Sequence, residues 1–279
     1  MSGGSVLDQV ATWHETHEVP HAAAVVVGPD GVRARTGDVD VPLRLASVTK
    51  VLTAFAVLIG VEEGALTLDE PAGPPGATVR HLLAHTAGYA FESGSGVIAQ
   101  PGTRRIYSNR GIEELADHFT TASGIPFAEY LAEAVLEPLG LERTELRGSP
   151  AFAAWSTAND LARFATELLA PTLLAPETVT ALVTVQFPGL SGVLPGVGRF
   201  DPLDWGLGVE RNFGRPGHWA GERVPRTAFG HFGGAGTFLW ADHGLSLGAV
   251  CLTDRDFGEW SLAAWPPLCD GIVAEHARE

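Results

Sequence analysis

Arg44-Leu-Ala-Ser-Val-Thr-Lys50 runs straight into an apolar segment that ends at Glu63. Val48, Val51, Leu52, Phe55, Leu58 and Ile59 recur at helical spacing and form one stripe. Ala54, Ala56 and Val57 fill the other faces, and a helix that is apolar all round is normally a buried one. The stretch 47–63 therefore reads as a buried helix. On it Ser47 and Lys50 stand at i and i+3, with Cβ atoms about 5–6 Å apart. A serine hydroxyl is a poor nucleophile until a base accepts its proton. Lysine can be that base only when neutral. Its ordinary pKa of about 10.4 must fall by roughly 3 units, about 4 kcal/mol, to be half neutral at pH 7. Burial pushes it that way. Lys50 is the only lysine in the chain, so its place at this spacing on this helix points to chemistry rather than to a surface pair.

Upstream, Ala22 to Val27 is a β-rich apolar run closed by Gly-Pro-Asp-Gly at 28–31, and Val32 to Thr36 follows. That pattern predicts a hairpin. Residues 5–18 read as an amphipathic helix before it. Downstream, 78–85, 111–120, 126–137 and 157–170 read as helices, the last opening on the capping arrangement Thr157-Ala-Asn-Asp160. The Gly- and Pro-rich stretch 186–203 reads as a loop. Strand-like runs return at Trp205–Glu210, Thr227–His231, Ala235–Ala241 and Leu245–Thr253. A closing helix over 262–276 is expected to break near Pro266 and Pro267. A lone hairpin is not a stable sheet. The fold expected is therefore α/β (α+β). One antiparallel sheet joins the first hairpin to the C-terminal strands, flanked by terminal helices, with a mainly helical lobe inserted. The chain is read as a single catalytic domain, 1–279. Its α/β lobe is 1–45 plus 200–279, and its helical lobe is 46–199.

Two more clusters carry chemistry. Tyr107-Ser-Asn109 sits in a Gly/Pro-led loop before a helix, where a phenol can relay a proton and an amide can orient a substrate or the lysine. Phe229-Gly-His-Phe-Gly-Gly234 sets three glycines around one histidine, which suggests close backbone approach to a ligand and an N–H facing an oxyanion. With only three Tyr and three Asn in the chain, a motif built from them is less easily an accident.

In this order the three pieces resemble the motifs Ser-x-x-Lys, Tyr-x-Asn and Lys/His-x-Gly of the serine β-lactamase and penicillin-binding-protein superfamily. Glu63-Gly-Ala-Leu-Thr-Leu-Asp-Glu-Pro71, Thr78-Val-Arg-His-Leu-Leu-Ala-His-Thr-Ala-Gly88, Leu136-Glu-Pro-Leu-Gly-Leu141 and Ser156-Thr-Ala-Asn-Asp-Leu-Ala162 resemble its class C β-lactamase-related branch. That branch includes β-lactamases, esterases and D-amino-acid-specific peptidases. The resemblance implies the β-lactamase/transpeptidase-like fold and an acyl-enzyme mechanism. It makes Ser47 the nucleophile, and Lys50 and Tyr107 the proton-transfer pair. Asn109, His231 and Gly233 become substrate and network contacts, and the backbone N–H groups of Ser47 and Gly234 the oxyanion hole. No metal and no organic cofactor are implied.

Phe232 stands where β-lactam-handling relatives carry a hydroxyl, and His231 is expected to be a pH-dependent cation. The N-terminus shows no secretory signal, so a cytoplasmic protein is expected. The function expected is an esterase-like serine hydrolase acting on a small acyl substrate, with weak or no β-lactam turnover. The alternatives are a β-lactamase or DD-peptidase, and a non-catalytic binding module on the same fold.

Composition excludes other classes. The chain has 279 residues, 45% hydrophobic and 18% charged, which is globular rather than disordered. Acids outnumber bases 33 to 18, for a net charge of −15, against non-specific nucleic-acid or anionic-membrane binding. No stretch is long and apolar enough to span a bilayer. Cys251 and Cys269 read as buried free thiols rather than a disulfide. Gly244-Leu-Ser246-Leu-Gly248 matches an α/β-hydrolase pattern, but Ser246 reads as strand rather than elbow. His81/His85 and His14/His17 read as packing or solvated pairs, and Glu113-Glu114 as a solvated helix face.

Overall fold

The computed structural model describes residues 5–92, 94 and 96–277. Its centre is a five-stranded antiparallel sheet. From one edge to the other the strands are Gly31–Gly37, Ala22–Gly28, Leu247–Thr253, Thr237–Asp242 and Phe229–Gly233. The N-terminal hairpin thus completes the C-terminal sheet, with Val25 opposite Val250 and Leu239 opposite His231.

The period of two along these strands divides the interior. Ala23, Val25, Val27, Leu239, Val250 and Leu252 face one core, with the helices that follow the hairpin in sequence. Ala24, Val26, Phe238, Trp240, Ala249 and Cys251 face the other, with the N- and C-terminal helices. Strands covered on both faces read as unbroken apolar runs, which is why Ala22–Gly28 shows no polar alternation. The same alternation puts His231 and Phe232 on opposite faces of Phe229–Gly233. Phe232 lies against Phe257 and Trp265, in the second core.

The first core is built around the helix Thr49–Glu62, in which Thr49 to Gly60 are all buried. Phe55 meets Phe164 edge to face at 5.4 Å, tying it to the helix Ala158–Leu169 that covers the sheet. Such pairs contribute about 0.5–1.5 kcal/mol beyond area burial. Thr157 caps that second helix, its hydroxyl accepting from the Asp160 N–H at 3.1 Å.

Five elements differ from expectation. The single helix expected over 5–18 is two short ones, Asp8–Ala11 and Trp13–Thr16. The closing helix runs unbroken from Glu259 to His276 through Pro266 and Pro267. Trp260, Ala264, Trp265, Leu268, Cys269 and Ile272 are buried along it, and several large apolar side chains outweigh the roughly 3 kcal/mol cost of an interior proline. The stretch 186–203 is not all loop: Gly192–Leu194 pairs in parallel with Arg105–Ile106 and antiparallel with Gly198–Phe200. Trp205–Glu210 forms isolated bridges instead of a strand, Trp205 to Glu210 and Glu210 to Gly230. Ser246 lies in the hairpin turn before Leu247–Thr253, not in a strand. No helix among the described residues is long and apolar enough to cross a membrane.

Candidate active site

Ser47 sits in a 3-10 turn, Ala46–Val48, that leads directly into the Thr49–Glu62 helix. The residue before it, Ala46, holds φ at 43°, a conformation costly for a residue with a Cβ. The surroundings fix that turn. Thr237 donates its hydroxyl to the Leu45 carbonyl at 2.8 Å. Gly233, at the end of its strand, lies so close that a Cβ there would meet the Leu45 carbonyl oxygen at 2.3 Å and Thr237 Oγ1 at 2.4 Å. Only glycine lets the edge strand approach the turn that carries Ser47. Gly234 follows, exposed, with open space where a Cβ would stand.

Lys50 is fully buried. Its Nζ lies 3.1 Å from Ser47 Oγ, 2.7 Å from Asn109 Oδ1 and 2.8 Å from the Ala151 carbonyl oxygen. An ammonium has three N–H donors, and a neutral amine has two and a lone pair. Asn109 Oδ1 and the Ala151 oxygen are acceptors only: around a charged lysine all three neighbours accept from Nζ, and around a neutral one these two take its two N–H groups. The remaining lone pair then faces the Ser47 hydroxyl, the one neighbour able to donate. Burial holds the amine well below its ordinary value, opposed by the Glu113 carboxylate.

Tyr107 follows the short strand Arg105–Ile106, and Asn109 opens the helix Asn109–Ser123. The segment is clamped on both sides of Tyr107. Ile106 N–H donates to the His85 carbonyl, Ser108 N–H to His85 Nδ1, the Ser108 hydroxyl to the Ala90 carbonyl and Asn109 N–H to the Phe91 carbonyl. The Tyr107 ring is boxed by His85, Trp205 and His231 at centroid distances of 4.6, 5.8 and 5.6 Å, and Lys50 Nζ lies 4.8 Å from its centre. The phenol is buried and has no hydrogen-bond partner among the described residues. Burial pushes its pKa up; the Ser47 hydroxyl opposes that and Glu210 adds to it. Burial favours its protonated form.

The structure corrects the reading of His231 as a cation. It is 1% exposed, and burial lowers its pKa to about 3. Its Nδ1–H donates to the Phe232 carbonyl at 2.5 Å, which leaves Nε2 as a bare acceptor without a partner. No positive charge stands at this position at neutral pH. Glu113 and Glu114 are likewise not a solvated face: Glu113 accepts from the Ser149 hydroxyl at 2.6 Å, and Glu114 pairs with Arg110 at 2.5 Å.

Three contributors were not singled out by sequence reasoning. The Ala151 carbonyl carries no side-chain signal. His85 had been read only as half of a histidine pair; its Nδ1 accepts a backbone N–H, so its buried Nε2 carries the proton. Burial keeps that ring neutral. Glu210 is wholly buried and accepts from His218 Nε2 and Trp219 Nε1, each at 3.0 Å. His81 stands apart on Thr78 and Phe187. Among the described residues no group of three or more His, Cys, Asp or Glu is placed to hold a metal ion. Cys251 and Cys269 are buried free thiols.

A mixed α+β fold with a five-stranded antiparallel sheet beside a Ser-x-x-Lys helix defines the class, the β-lactamase and penicillin-binding-protein-like serine hydrolases. The family model named Beta-lactamase matches residues 8–268, and the chain belongs to that family. A β-lactamase from Mycobacterium bovis is 49% identical, with a TM-score of 0.94 over 98% of this chain and 100% of that one. Simvastatin synthase from Aspergillus terreus shares the fold at 16% identity, with a TM-score of 0.78 over 99% of this chain and 98% of that one. The D-alanyl-D-alanine-carboxypeptidase/endopeptidase AmpH of Escherichia coli is 27% identical over 147 residues, 40% of this chain and 38% of that relative. The chain thus spans well under half of that relative's length.

Proposed function

We propose that this protein hydrolyses a small ester or amide through an acyl-enzyme on Ser47, with esterase-like preference and weak β-lactam turnover. The observation that carries the reading is the buried Lys50 amine, 3.1 Å from Ser47 Oγ with acceptors for its two other positions. In this mechanism Lys50 Nζ takes the Ser47 proton as Oγ bonds to the substrate carbonyl carbon. The carbonyl π electrons move onto oxygen, which the N–H groups of Ser47 and Gly234 hold. One such donor is typically worth about 2.7–4 kcal/mol in the transition state. The intermediate collapses, the bond to the leaving group breaks, and Tyr107 gives that group its proton. The phenol is recharged from the Lys50 ammonium. Water then attacks the acyl-serine, its proton passing back through the same pair.

Phe232 and the neutral His231 support the preference away from β-lactams, since neither a hydroxyl nor a cation stands there for a substrate carboxylate. The second reading, a β-lactamase, is favoured by the description of the 49% identical Mycobacterium bovis relative. Two assays decide. A fluorophosphonate should label the wild type and not Ser47→Ala; absence of labelling on folded protein supports a non-catalytic module instead. Short-chain 4-nitrophenyl esters should exceed nitrocefin in kcat/KM; the reverse order makes the β-lactamase reading the right one.

A further inference from the structure

A cavity of about 370 Å³ has Tyr107 in its lining. One part of its wall is apolar, with Phe91, Ile106 and Val193. Arg104, Arg105 and Arg199 complete the charged part, and no Asp or Glu lines it. The small sheet explains the arrangement. Ile106 stands opposite Val193, and Val193 opposite Arg199, so the three side chains share one face.

Acids outnumber bases 33 to 18, and Arg44, Arg80, Arg110, Arg147 and Arg215 all pair with carboxylates. Arg104 and Arg199 are exposed and have no hydrogen-bond or ion-pair partner among the described residues. The buried Arg105 guanidinium bonds only to carbonyl oxygens, those of Leu203, Ala84, Gln186 and Phe187, so its charge has no carboxylate in contact. Two exposed guanidiniums without a bonded acid, Arg104 and Arg199, give this concavity a positive potential in a strongly acidic protein, and Arg105 lies buried behind them on backbone carbonyls. Planar guanidinium donors suit a carboxylate.

We propose that this cavity is an anion subsite, and that the substrate carries a carboxylate joined by a short apolar chain to the acyl carbon attacked by Ser47. The inference rests on the hydrolase reading above. It moves anion recognition away from the His231 position, where the charge is missing, to the side of Tyr107 that faces the arginines. Hydrolysis then releases a dicarboxylic acid, whose second carboxylate is the acyl group that Ser47 had held as an ester.

The test compares the 4-nitrophenyl monoester of glutaric acid with its methyl-capped, neutral counterpart. The wild type should prefer the free acid by roughly tenfold or more in kcat/KM, the scale of charge-assisted hydrogen bonds. In Arg104→Gln/Arg199→Gln that preference should fall to near unity. No preference in the wild type, or an undiminished preference in the double variant, overturns the proposal. Calorimetry with glutarate on Ser47→Ala gives a readout free of turnover. Binding that the added Arg104→Gln/Arg199→Gln changes abolish supports the subsite, even if no ester is hydrolysed and the hydrolase reading falls. No binding overturns it, and inorganic phosphate binding as tightly as glutarate overturns the carboxylate-plus-chain assignment.

Discussion

Lys50→Met replaces a buried amine with an apolar side chain of similar length. Two effects follow. Asn109 Oδ1, the Ala151 carbonyl and the Ser47 hydroxyl each lose a partner, and an unsatisfied buried polar group costs about 1–3 kcal/mol. Against that, burial holds the amine's pKa well below 10.5, so at any pH between the depressed value and 10.5 folding strips a proton from Lys50. The unfolded chain binds one proton more than the folded chain between the depressed value and the ordinary one. Wild-type stability therefore rises with pH across that window, by about 1.4 kcal/mol per pH unit from this one group. Lys50→Met lacks the group and lacks that slope. Urea unfolding of both proteins between pH 7 and 9.5 should show the wild type gaining on the variant by about that much per unit. Parallel stability curves refute the reasoning, for then the amine binds its proton equally in both states. Acylation of the variant should also fall by about 10²–10⁴-fold, the usual contribution of a positioned base.

Gly233→Ala should lower stability by about 1–3 kcal/mol or more in chemical denaturation and abolish labelling of Ser47, since the new Cβ would sit 2.3 Å from the Leu45 oxygen. Gly234→Ala, with open space around it, should stay within about 0.5 kcal/mol of the wild type; equal losses at both positions refute the close-approach account. Tyr107→Phe removes a buried, unpartnered hydroxyl, so its stability should hold or rise by about 1 kcal/mol while acyl-enzyme turnover falls about 10²-fold or more; a large loss of stability contradicts the assignment. His231 has its pKa depressed to about 3, so the unfolded chain gains its proton first as pH falls below about 6.5. Stability should drop through that window down to about 3, and His231→Gln should flatten the drop by up to roughly 4–5 kcal/mol; an unchanged acid profile refutes the neutral, buried imidazole.

The helix that carries Lys50 was legible because its apolar residues cover every face, a pattern only burial explains. The first hairpin was legible from Gly-Pro-Asp-Gly at 28–31, and its need for a partner led to the C-terminal strands. Other features depend on contacts that no local pattern records. The three-residue strands around Val193 and Arg199 are too short for periodicity and exist by pairing across to Ile106. Pro266 and Pro267 are local breakers overruled by the aromatic face on which their helix lies. The charge state of His231 is set by the elements that bury it, not by its neighbours in sequence. The Ala151 carbonyl, a backbone acceptor on Lys50, is invisible to any reading of side chains.

Because the chain has a single lysine, the ionisation of that residue can be read without assignment. Protein carrying ¹³Cε,¹⁵Nζ-lysine should give one side-chain signal, at the position of a free amine at pH 7 and moving toward that of an ammonium only as pH falls. An ammonium signal that persists up to about pH 10, the range of a solvated lysine, contradicts the account at its base.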